Sequence, residues 1–259
     1  MHLIVTTTQS QDRVSEPMAE FLSDSGFPYV PRQGLGLAKL AAQNGADAVI
    51  VWEGQGPVLR AGEEKLFFHP SMAKSRIAAH RKLGRADNMV KACQLQPGDS
   101  FLDCTLGMGA DAIVASYFSG SGAITGLESQ PALAAVIGWG MKLYRGKMPW
   151  LNQAVHRIQV IAVHHGDYLQ MQPDRSQDII YFDPMFSQPL LQSQPISALR
   201  RYANHDALNP GSIDEACRVA RKRVVLKSEA GLGEFERLGF RRIEGSKHNP
   251  IAYGVIPIT

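Results

Sequence analysis

Residues 100–112, SFLDCTLGMGADA, constrain the fold of this chain more than any other segment. An apolar run ends in Asp103, and a turn containing Gly107 and Gly109 leads into residues suited to a helix. Glycines let a backbone turn sharply and approach a ligand closely, and a helix N-terminus favours polar ligand groups. The segment therefore predicts a strand, a ligand-binding turn and a helix of a parallel α/β sheet.

The chain beyond residue 97 repeats this alternation of strand and helix. Strands are predicted over 101–105, 123–127, 158–163, 179–182 and 224–227, and helices over 110–118, 131–144 and 212–221, the last capped by Ser212. Such alternation favours a doubly wound parallel sheet with ligands at the carboxyl ends of its strands. Strands at 240–243 and 251–256, joined by a turn at 247–250, predict a final antiparallel hairpin. The pattern is that of a Rossmann-like class I methyltransferase sheet, mostly parallel with a C-terminal antiparallel hairpin.

The residues before this sheet divide into two segments. Residues 1–69 predict a small N-terminal α/β domain, with strands at 3–8, 48–52 and 65–68, helices at 16–25 and 37–43, and a turn at 54–57. Residues 70–96 predict a basic helical bridge, which we assign to the methyltransferase domain at 70–259. A chain of 259 residues is long enough for one large domain or for a catalytic domain with such an appendage.

The composition of the chain indicates its cellular location more clearly than its binding partners. The net charge of +3 and the pI of about 8.8 barely favour an anionic partner. Cys93, Cys104 and Cys217 are few, odd in number and without a CxxC spacing. We therefore expect neither a disulfide framework nor a metal site, and a cytoplasmic location. The first residues lack the pattern of a signal peptide, and no apolar run approaches the ~18 residues of a membrane span.

The Gly-x-Gly turn leaves the cofactor open until its neighbours are considered. Gly107-x-Gly109-x-x-Ala112 also fits the dinucleotide fingerprint, and Glu128, at the end of the next strand, suits the ribose of either cofactor. Asp103 favours S-adenosylmethionine as the cofactor, because its negative charge would repel the pyrophosphate of a dinucleotide. Asp167 follows the third strand, where a carboxylate can accept from an adenine amino group. A structural turn with an incidental Glu128, and a loop cap at Asp167, are the alternatives.

The sequence Asp183-Pro184-Met185-Phe186 follows the buried strand at 179–182. The amino nitrogen of a base is a poor nucleophile, and its two hydrogens can be accepted by the Asp183 carboxylate and the Pro184 carbonyl. Phe186 offers a face on which an extruded base stacks. Such a transfer needs no metal, because positioning supplies most of the rate. The alternative is that Asp-Pro merely ends a strand.

Several basic residues are candidates for contacts with a nucleic acid. Lys74, Arg81 and Arg85 are seven and four residues apart, so they share a face if residues 72–91 are helical. Such a face can grip phosphates, although a solvated surface or a helix interrupted at Gly84 fits equally well. Lys227, at the end of the fifth strand, is a further candidate substrate contact, with plain strand termination as its alternative. The basic residues at 218–223 are expected to be a solvated helix end.

Four blocks between residues 71 and 227 resemble the small-subunit ribosomal RNA methyltransferase J family, which methylates a guanine N2. They are His80-Arg-Lys-Leu-Gly-Arg85 with Asp87 and Lys91-Ala92, Asp103-x-Thr-x-Gly-x-Gly-x-Asp-Ala112, Asp183-Pro-Met-Phe186, and Val224-Val-Leu-Lys227. The resemblance implies S-adenosylmethionine bound by the second block, including Thr105 and Asp111, and by Glu128. It implies a target base at Asp183 and Phe186.

The chain also departs from that family. Ser187 stands where the family tends to carry another proline, and Met108-Gly-Ala110 differs from the usual Leu-Gly-Arg. The first sixty-odd residues match nothing diagnostic. Because such appended regions usually set substrate choice, the resemblance carries over the cofactor but not the exact RNA target.

The sequence therefore predicts an S-adenosylmethionine-dependent N-methyltransferase that releases S-adenosylhomocysteine. The leading acceptor is a guanine amino group of ribosomal RNA, and the expected partner is ribosomal RNA or the small ribosomal subunit, which implies RNA binding and a role in rRNA processing. DNA, protein or a small molecule are alternative acceptors. A non-catalytic RNA-binding module and a nicotinamide-dependent dehydrogenase are further alternatives, the former disfavoured by the intact Asp183-Pro-x-Phe186.

Overall fold

The computed structural model describes residues 1–11, 13–184, 207–230, 233–245 and 250–259. Within these ranges the strands form one sheet of four strands near the start of the chain and one sheet of seven strands after it. None of the described helices is long and apolar enough to cross a membrane.

The four-stranded sheet lies within residues 1–69. Its elements are β1 (Leu3–Thr7), α1 (Glu16–Ser25), α2 (Leu37–Gln43), β2 (Ala48–Glu53), β3 (Gly56–Ala61) and β4 (Glu64–Leu66). β1 and β2 are parallel, whereas β2, β3 and β4 are antiparallel. β3 was absent from the sequence prediction, which placed a turn over 54–57. The turn is shorter, because Glu53 pairs directly with Gly56 and leaves only two residues in the loop.

The bridge between the sheets consists of two helices. α3 (Ser71–Leu83) ends at Gly84, whose φ is 62°, and α4 (Asn88–Cys93) is capped by the Asp87 side chain, which accepts from two backbone N–H groups. The left-handed backbone at Gly84 terminates α3, so the continuous helix over 72–91 is not formed. Arg85 consequently lies beyond the helix and does not share a helical face with Lys74 and Arg81.

The seven-stranded sheet carries the remaining elements. They are β5 (Phe101–Asp103), α5 (Ala110–Ser119), β6 (Ile124–Glu128), α6 (Pro131–Leu143), α7 (Pro149–His156), β7 (Ile158–Ala162), α8 (His165–Met171), β8 (Gln177–Phe182), α9 (Pro210–Val219), β9 (Ala220–Glu229), α10 (Glu234–Arg237), β10 (Arg242–Gly245) and β11 (Ile251–Pro257). The strand order is β10-β11-β9-β8-β5-β6-β7, and β11 is antiparallel to both of its neighbours. The strands from β5 to β9 pair in parallel. The predicted sheet with its C-terminal antiparallel hairpin is confirmed.

Local details differ from the sequence prediction in three places. Helices α7 and α8 are additional, and residues 247–249 of the hairpin turn predicted at 247–250 lie outside the described residues. The cap of α9 is Asn209, whose side chain accepts from the N–H of Ser212 at 2.8 Å. Ser212 is therefore not the cap, because Pro210, with its fixed φ, already occupies the first turn of this helix.

One apolar core extends across both sheets. Phe21 of α1, Trp52 of β2 and Trp139 of α6 are buried, and their ring centroids are 5.4 to 6.1 Å apart. The same cluster includes Phe101 and Tyr181 of the seven-stranded sheet. The N-terminal residues therefore pack directly against α6 and help to hold it on the sheet that carries the candidate site.

Candidate active site

The carboxyl ends of β5 and β8 lie side by side in the middle of the seven-stranded sheet. β5 has β6 on one side and β8 on the other, so the strand order reverses at this point. Ligands of open α/β sheets bind in the crevice at such a switch point. Asp103 ends β5 and Asp183 directly follows β8, so the structure brings both predicted carboxylates to this crevice.

The turn between β5 and α5 has the conformation that its glycines permit. φ is 51° at Gly107 and 73° at Gly109, a left-handed backbone that residues with side chains rarely adopt. A side chain at Gly109 would also collide with the terminal methyl group of Met141 in α6. The glycines thus bring bare backbone to the carboxyl edge of the sheet.

Glu128 holds this turn in place. One of its carboxylate oxygens accepts the N–H of Gly107 at 3.2 Å, and the other accepts the N–H of Gln130 at 2.9 Å. The residue is 8% exposed, and burial raises its pKa above the ordinary value. A carboxylate has about four acceptor positions, so each oxygen can still accept a ligand hydroxyl.

Thr105 links the glycine turn to the segment that carries Asp183. Its backbone N–H donates to the Asp103 carboxylate at 3.1 Å. Its hydroxyl accepts the backbone N–H of Asp183 at 2.6 Å, across 78 residues of sequence. The predicted cofactor motif and the predicted acceptor motif therefore form one hydrogen-bonded unit.

A network of ion pairs lies behind the two motifs. Lys227, which follows Leu226 in β9, donates to Asp183 at 2.6 Å and to Asp111 at 3.1 Å. Asp111, in the first turn of α5, also accepts from Arg76 of α3 and from the Tyr181 hydroxyl at 3.0 Å. In the described structure Asp111 and Lys227 thus bind each other, although the sequence assigned Asp111 to the cofactor and Lys227 to the substrate.

Three members of this network were given no role in the sequence analysis: Arg76, Tyr181, and Asp87, which was named only as part of a family block. Arg76 makes two hydrogen bonds of 2.8 Å to the Asp87 carboxylate in addition to its contact with Asp111. Its neighbours Ala73 and Ile77 are fully buried, and residues at this spacing share a face of α3. Lys74 and Arg81 lie three and four residues from Ile77, so this spacing did not single out Arg76 in the sequence, although both of those cations are exposed.

The network gives the site carboxyl groups different affinities for protons. Burial, together with the charge of Asp111, raises the pKa of Asp103 to about 8. Burial also raises the pKa of Asp183 to about 6, although Lys227 opposes that effect. Burial acts on Asp111 in the same direction, but Lys227 and Arg76 outweigh it and hold the pKa of Asp111 well below its usual range. Asp111 is therefore a permanent charge, whereas Asp183 titrates close to neutral pH.

Of the other predicted catalytic and cofactor residues, Pro184 and Asp167 are described by the structure and Phe186 is not. Pro184 is half-buried and directly follows Asp183, whereas Phe186 lies outside the described residues. Asp167 is exposed and lies in the first turn of α8, a helix that the sequence prediction did not include. Among the described residues, no group of three or more His, Cys, Asp or Glu side chains is arranged to hold a metal ion.

The two basic segments have contrasting surroundings. Lys74, Arg81 and Arg85 are exposed, and none of them forms an ion pair with a described residue. Arg81 lies over the Trp150 ring at 5.4 Å and donates to the Tyr117 hydroxyl at 3.2 Å. The segment at 218–223 is instead neutralised, since Arg218 pairs with Asp174 and Glu215, Arg221 with Asp178, and Lys222 with Asp99.

Comparison with known proteins was made for sequence and for fold. A family model described as "Putative SAM-dependent methyltransferase" matches residues 44–235. The uncharacterized protein YpiP of Bacillus subtilis is 34% identical over 98% of both chains. A ribosomal RNA small subunit methyltransferase J of Acinetobacter baylyi is 32% identical, over 40% of this chain and 38% of its own. A second protein of that name, from Thioalkalivibrio sulfidiphilus, is 26% identical over 56% of this chain and 58% of its own.

The fold has a solved counterpart of nearly the same extent. The crystal structure of a SAM-dependent methyltransferase from Neisseria gonorrhoeae has a TM-score of 0.65 and covers 98% of this chain and 95% of that one. Sequence identity between the two is 20%, so the likeness concerns the fold. It includes the residues before the seven-stranded sheet as well as the sheet itself.

Proposed function

Because the chain belongs to this family of S-adenosylmethionine-dependent methyltransferases, we propose that it methylates an exocyclic amino group of RNA, with a guanine of small-subunit ribosomal RNA as the acceptor. Family membership confirms the predicted enzyme class and cofactor. The acceptor rests on the Asp183-Pro-Met-Phe186 sequence and on the relatives named ribosomal RNA small subunit methyltransferase J.

The residues of the crevice suit this cofactor. S-adenosylmethionine supplies a methyl group on a positively charged sulfur and leaves as S-adenosylhomocysteine. The acidic side chains Asp87, Asp111 and Asp183 outnumber the cations Arg76 and Lys227, and Asp103 adds a further negative charge when it loses its proton. Such a surplus of carboxylates attracts a cationic ligand and repels a pyrophosphate, which argues against the dehydrogenase alternative.

Each predicted cofactor residue then has a task. We assign the bare backbone of Gly107 and Gly109 to the close approach of the cofactor, and the Glu128 carboxylate to its ribose hydroxyls. Asp103 faces the amino acid portion, and Asp167 the adenine amino group. Thr105 and Asp111 contribute indirectly, because their described partners are the Asp103 and Asp183 segments and the two buried cations.

The carboxylate of Asp183 carries the proposed chemistry. It lies at the switch point, is hydrogen-bonded through its backbone to Thr105, and has a pKa of about 6. A group that titrates near neutral pH is suited to accept a proton from an amino group as its nitrogen is methylated. The Pro184 carbonyl accepts the second amino hydrogen, and Phe186 stacks on the base.

The contact with RNA is assigned to the cations of α3 and the following turn. Lys74, Arg81 and Arg85 are exposed and lack carboxylate partners among the described residues, so their charge is available to phosphates. The neutralised segment at 218–223 is not assigned to RNA. The expectation that it forms a solvated helix end is wrong for residues 220–223, which belong to β9. Lys227 is not assigned to RNA either, since its described contacts are the carboxylates of Asp111 and Asp183.

The proposal is tested by methyl transfer to defined acceptors. Small ribosomal subunits and naked ribosomal RNA from cells lacking the gene are incubated with the protein and radiolabelled S-adenosylmethionine, and the nucleosides are identified by mass spectrometry. We expect a single N2-methylguanosine, abolished by Asp183→Asn with little change in cofactor affinity. Label in DNA, protein or a small molecule would overturn the RNA assignment, and absence of transfer to any acceptor would favour the non-catalytic alternative.

A matched control is available at the opposite end of the same strand. Asp174 precedes β8, whereas Asp183 follows it, and the Asp174 side chain is 76% exposed in its pair with Arg218. Asp174→Asn makes the same chemical change far from the crevice. It should leave methyl transfer intact, so equal losses in the two variants would show that Asp183→Asn acts through the fold.

A further inference from the structure

Lys227 is the described cation that contacts the Asp183 carboxylate. Its ammonium group lies 2.6 Å from Asp183 and 3.1 Å from Asp111, and its side chain is only 20% exposed. Its strand, β9, is fixed on one side by β8 and on the other by β11, where Tyr253 is its register partner. The position of the ammonium group is therefore set by the centre of the sheet and not by a surface loop.

We propose that Lys227 is a positioning residue that keeps the Asp183 carboxylate ionised and oriented to accept a proton from the substrate amino group. The inference rests on the proposed function, because it assigns Asp183 the role of proton acceptor. It replaces the expectation that Lys227 binds substrate directly.

Proton accounting explains why the charge state of Asp183 matters. When the amino nitrogen forms its bond to the methyl carbon, the carbon–sulfur bond breaks and its electron pair remains on sulfur. The nitrogen then has four bonds and a positive charge, and it must release one of its protons. A carboxylate can take that proton, whereas a carboxylic acid has no free site for it in the same geometry.

The other groups around Asp183 work against its ionisation. Burial is the largest effect, and the negative charge of Asp111 adds to it, so the pKa is raised to about 6 even with Lys227 present. The ionisable groups that interact with this carboxylate from the neighbouring elements are Asp103 of β5, Asp111 of α5, Tyr181 of β8 and Lys227 of β9. Tyr253 of β11 acts on Lys227, and Arg76 of α3 lies behind Asp111. Without Lys227, the nearest remaining charges are negative.

Asp111 and Arg76 help to fix the position and the charge of Lys227. Asp111 holds the second side of the Lys227 ammonium group, and Arg76, anchored by Asp87, compensates the charge that Asp111 retains. Despite the cost of burial, the two carboxylates raise the pKa of Lys227, so the lysine stays charged across the physiological range. Asp111 also raises the pKa of Asp183. Lys227 lowers the pKa of Asp183 and Asp111 raises it, so substitutions of these two residues should shift that pKa in opposite directions.

The experiment is the pH dependence of kcat/KM for methyl transfer to the RNA acceptor, which reports ionisations of the free enzyme. The wild-type activity should fall on the acid side near pH 6. Lys227→Met should move this limb to higher pH by about one to three units, the effect expected for loss of a nearby opposite charge. Lys227→Arg should leave the limb in place, and Asp111→Asn should move it to lower pH.

A second readout does not depend on catalysis. The carboxyl carbon of Asp183, assigned by its absence in Asp183→Asn, is titrated by NMR in the ligand-free wild type and in Lys227→Met. An unshifted titration in a folded Lys227→Met protein overturns the inference, as does an unshifted acid limb. If the wild type methylates no RNA, the proposed function fails instead, while the titration still decides whether Lys227 controls Asp183.

Discussion

The side-chain hydroxyl of Thr105 accepts the backbone N–H of Asp183 at 2.6 Å. Thr105 belongs to the turn that follows β5, and Asp183 follows β8, so this bond crosses the switch point of the sheet. The backbone N–H of Thr105 in turn donates to Asp103. The position of the proposed proton acceptor therefore depends on a residue of the cofactor turn.

Thr105→Val tests this dependence with a side chain of the same shape. The valine removes the acceptor and leaves the N–H of Asp183 unpaired, at a cost of about 1–3 kcal/mol. We expect kcat to fall by about one order of magnitude or more, with a smaller change in cofactor affinity. Single-turnover transfer and calorimetric cofactor binding separate the two effects. Thr105→Ser keeps the hydroxyl and should stay near wild type; equal losses in both variants would contradict the role of the bond.

Asp103 predicts that cofactor binding releases a proton. Its raised pKa of about 8 means that the free protein holds this carboxyl group protonated at neutral pH. A cationic cofactor group beside it lowers the pKa and expels the proton, so affinity should rise with pH and level off above about 8. Calorimetry in buffers of different ionisation heats measures the release. Asp103→Asn should abolish it, and a release that persists in that variant would assign the proton to another group.

The same raised pKa makes Asp103 a source of pH-dependent instability. The folded state holds this proton more tightly than the unfolded state, so the residue costs stability increasingly as pH rises from about 4 to about 8, and the cost is constant above that. Asp103→Asn should therefore raise Tm more at alkaline than at acidic pH. Thermal unfolding across that range tests the sign, and a larger gain at acidic pH would be inconsistent with it.

Glu128→Gln should weaken cofactor binding more than it weakens the fold. The amide has one acceptor oxygen in place of two, so one of the hydrogen bonds that link Glu128 to the Gly107 and Gln130 N–H groups is lost. A drop in affinity of about one to two orders of magnitude is expected from a lost charge-assisted hydrogen bond. The exposed Glu20, paired with Lys142, provides the control substitution Glu20→Gln. An unchanged cofactor Kd in Glu128→Gln would place the ribose elsewhere.

The α3 cations are tested by the salt dependence of RNA binding. Replacing Lys74, Arg81 and Arg85 by glutamine should weaken binding and reduce the slope of log K against log[salt] by about 0.7 for each lost contact with a single strand. Replacement of Arg221 and Lys222 removes two charges that are already neutralised by Asp178 and Asp99. That control should leave the slope unchanged, and a similar loss of slope in both sets would leave no special role for α3.

The aromatic contacts between the sheets lead us to propose that residues 1–69 and 70–259 unfold together. Trp139→Ala removes the ring that touches both Phe21 and Trp52 and should cost about 3–5 kcal/mol. Denaturant unfolding should remain a single transition at a lower midpoint, with a smaller loss for Trp139→Phe. Two separate transitions would argue for independent domains.

The main sheet could be predicted because each of its features produces a recognisable pattern within a short stretch of sequence. Apolar runs ending in Asp103, Glu128 and Asp183, a Gly-x-Gly turn and a final hairpin pattern were sufficient to predict a mostly parallel sheet with a C-terminal antiparallel hairpin. The short helices α7 and α8 left weaker marks, since helices of 8 and 7 residues carry few periodic positions. Gly56-Pro57 reads as a turn in any local analysis, and only pairing with β2 makes it a strand.

The ion-pair network could not be predicted in the same way. Arg76 meets Asp111 across 35 residues and Lys227 meets Asp111 across 116, so no spacing in the sequence connects them. Local reading instead assigned Asp111 and Lys227 to ligands, because each stands in a motif that touches the crevice. The spacing along α3 does not distinguish Arg76 from Lys74 and Arg81, because each of the three lies three or four residues from buried Ala73 or Ile77.

Helix α3 has one face in the ion-pair network and another in the solvent. Arg76 anchors Asp111 and, through it, Lys227 and Asp183, while Lys74 and Arg81 are exposed on the same helix. The proposed site for RNA phosphates is thus on the exposed side of the helix whose other side is linked to Asp183 through Asp111 and Lys227. If RNA shifts the proton affinity of Asp183, thermodynamic reciprocity requires that protonation shift the affinity for RNA by the same factor. In such an enzyme, RNA binding to α3 would change the protonation of Asp183 before any base entered the crevice.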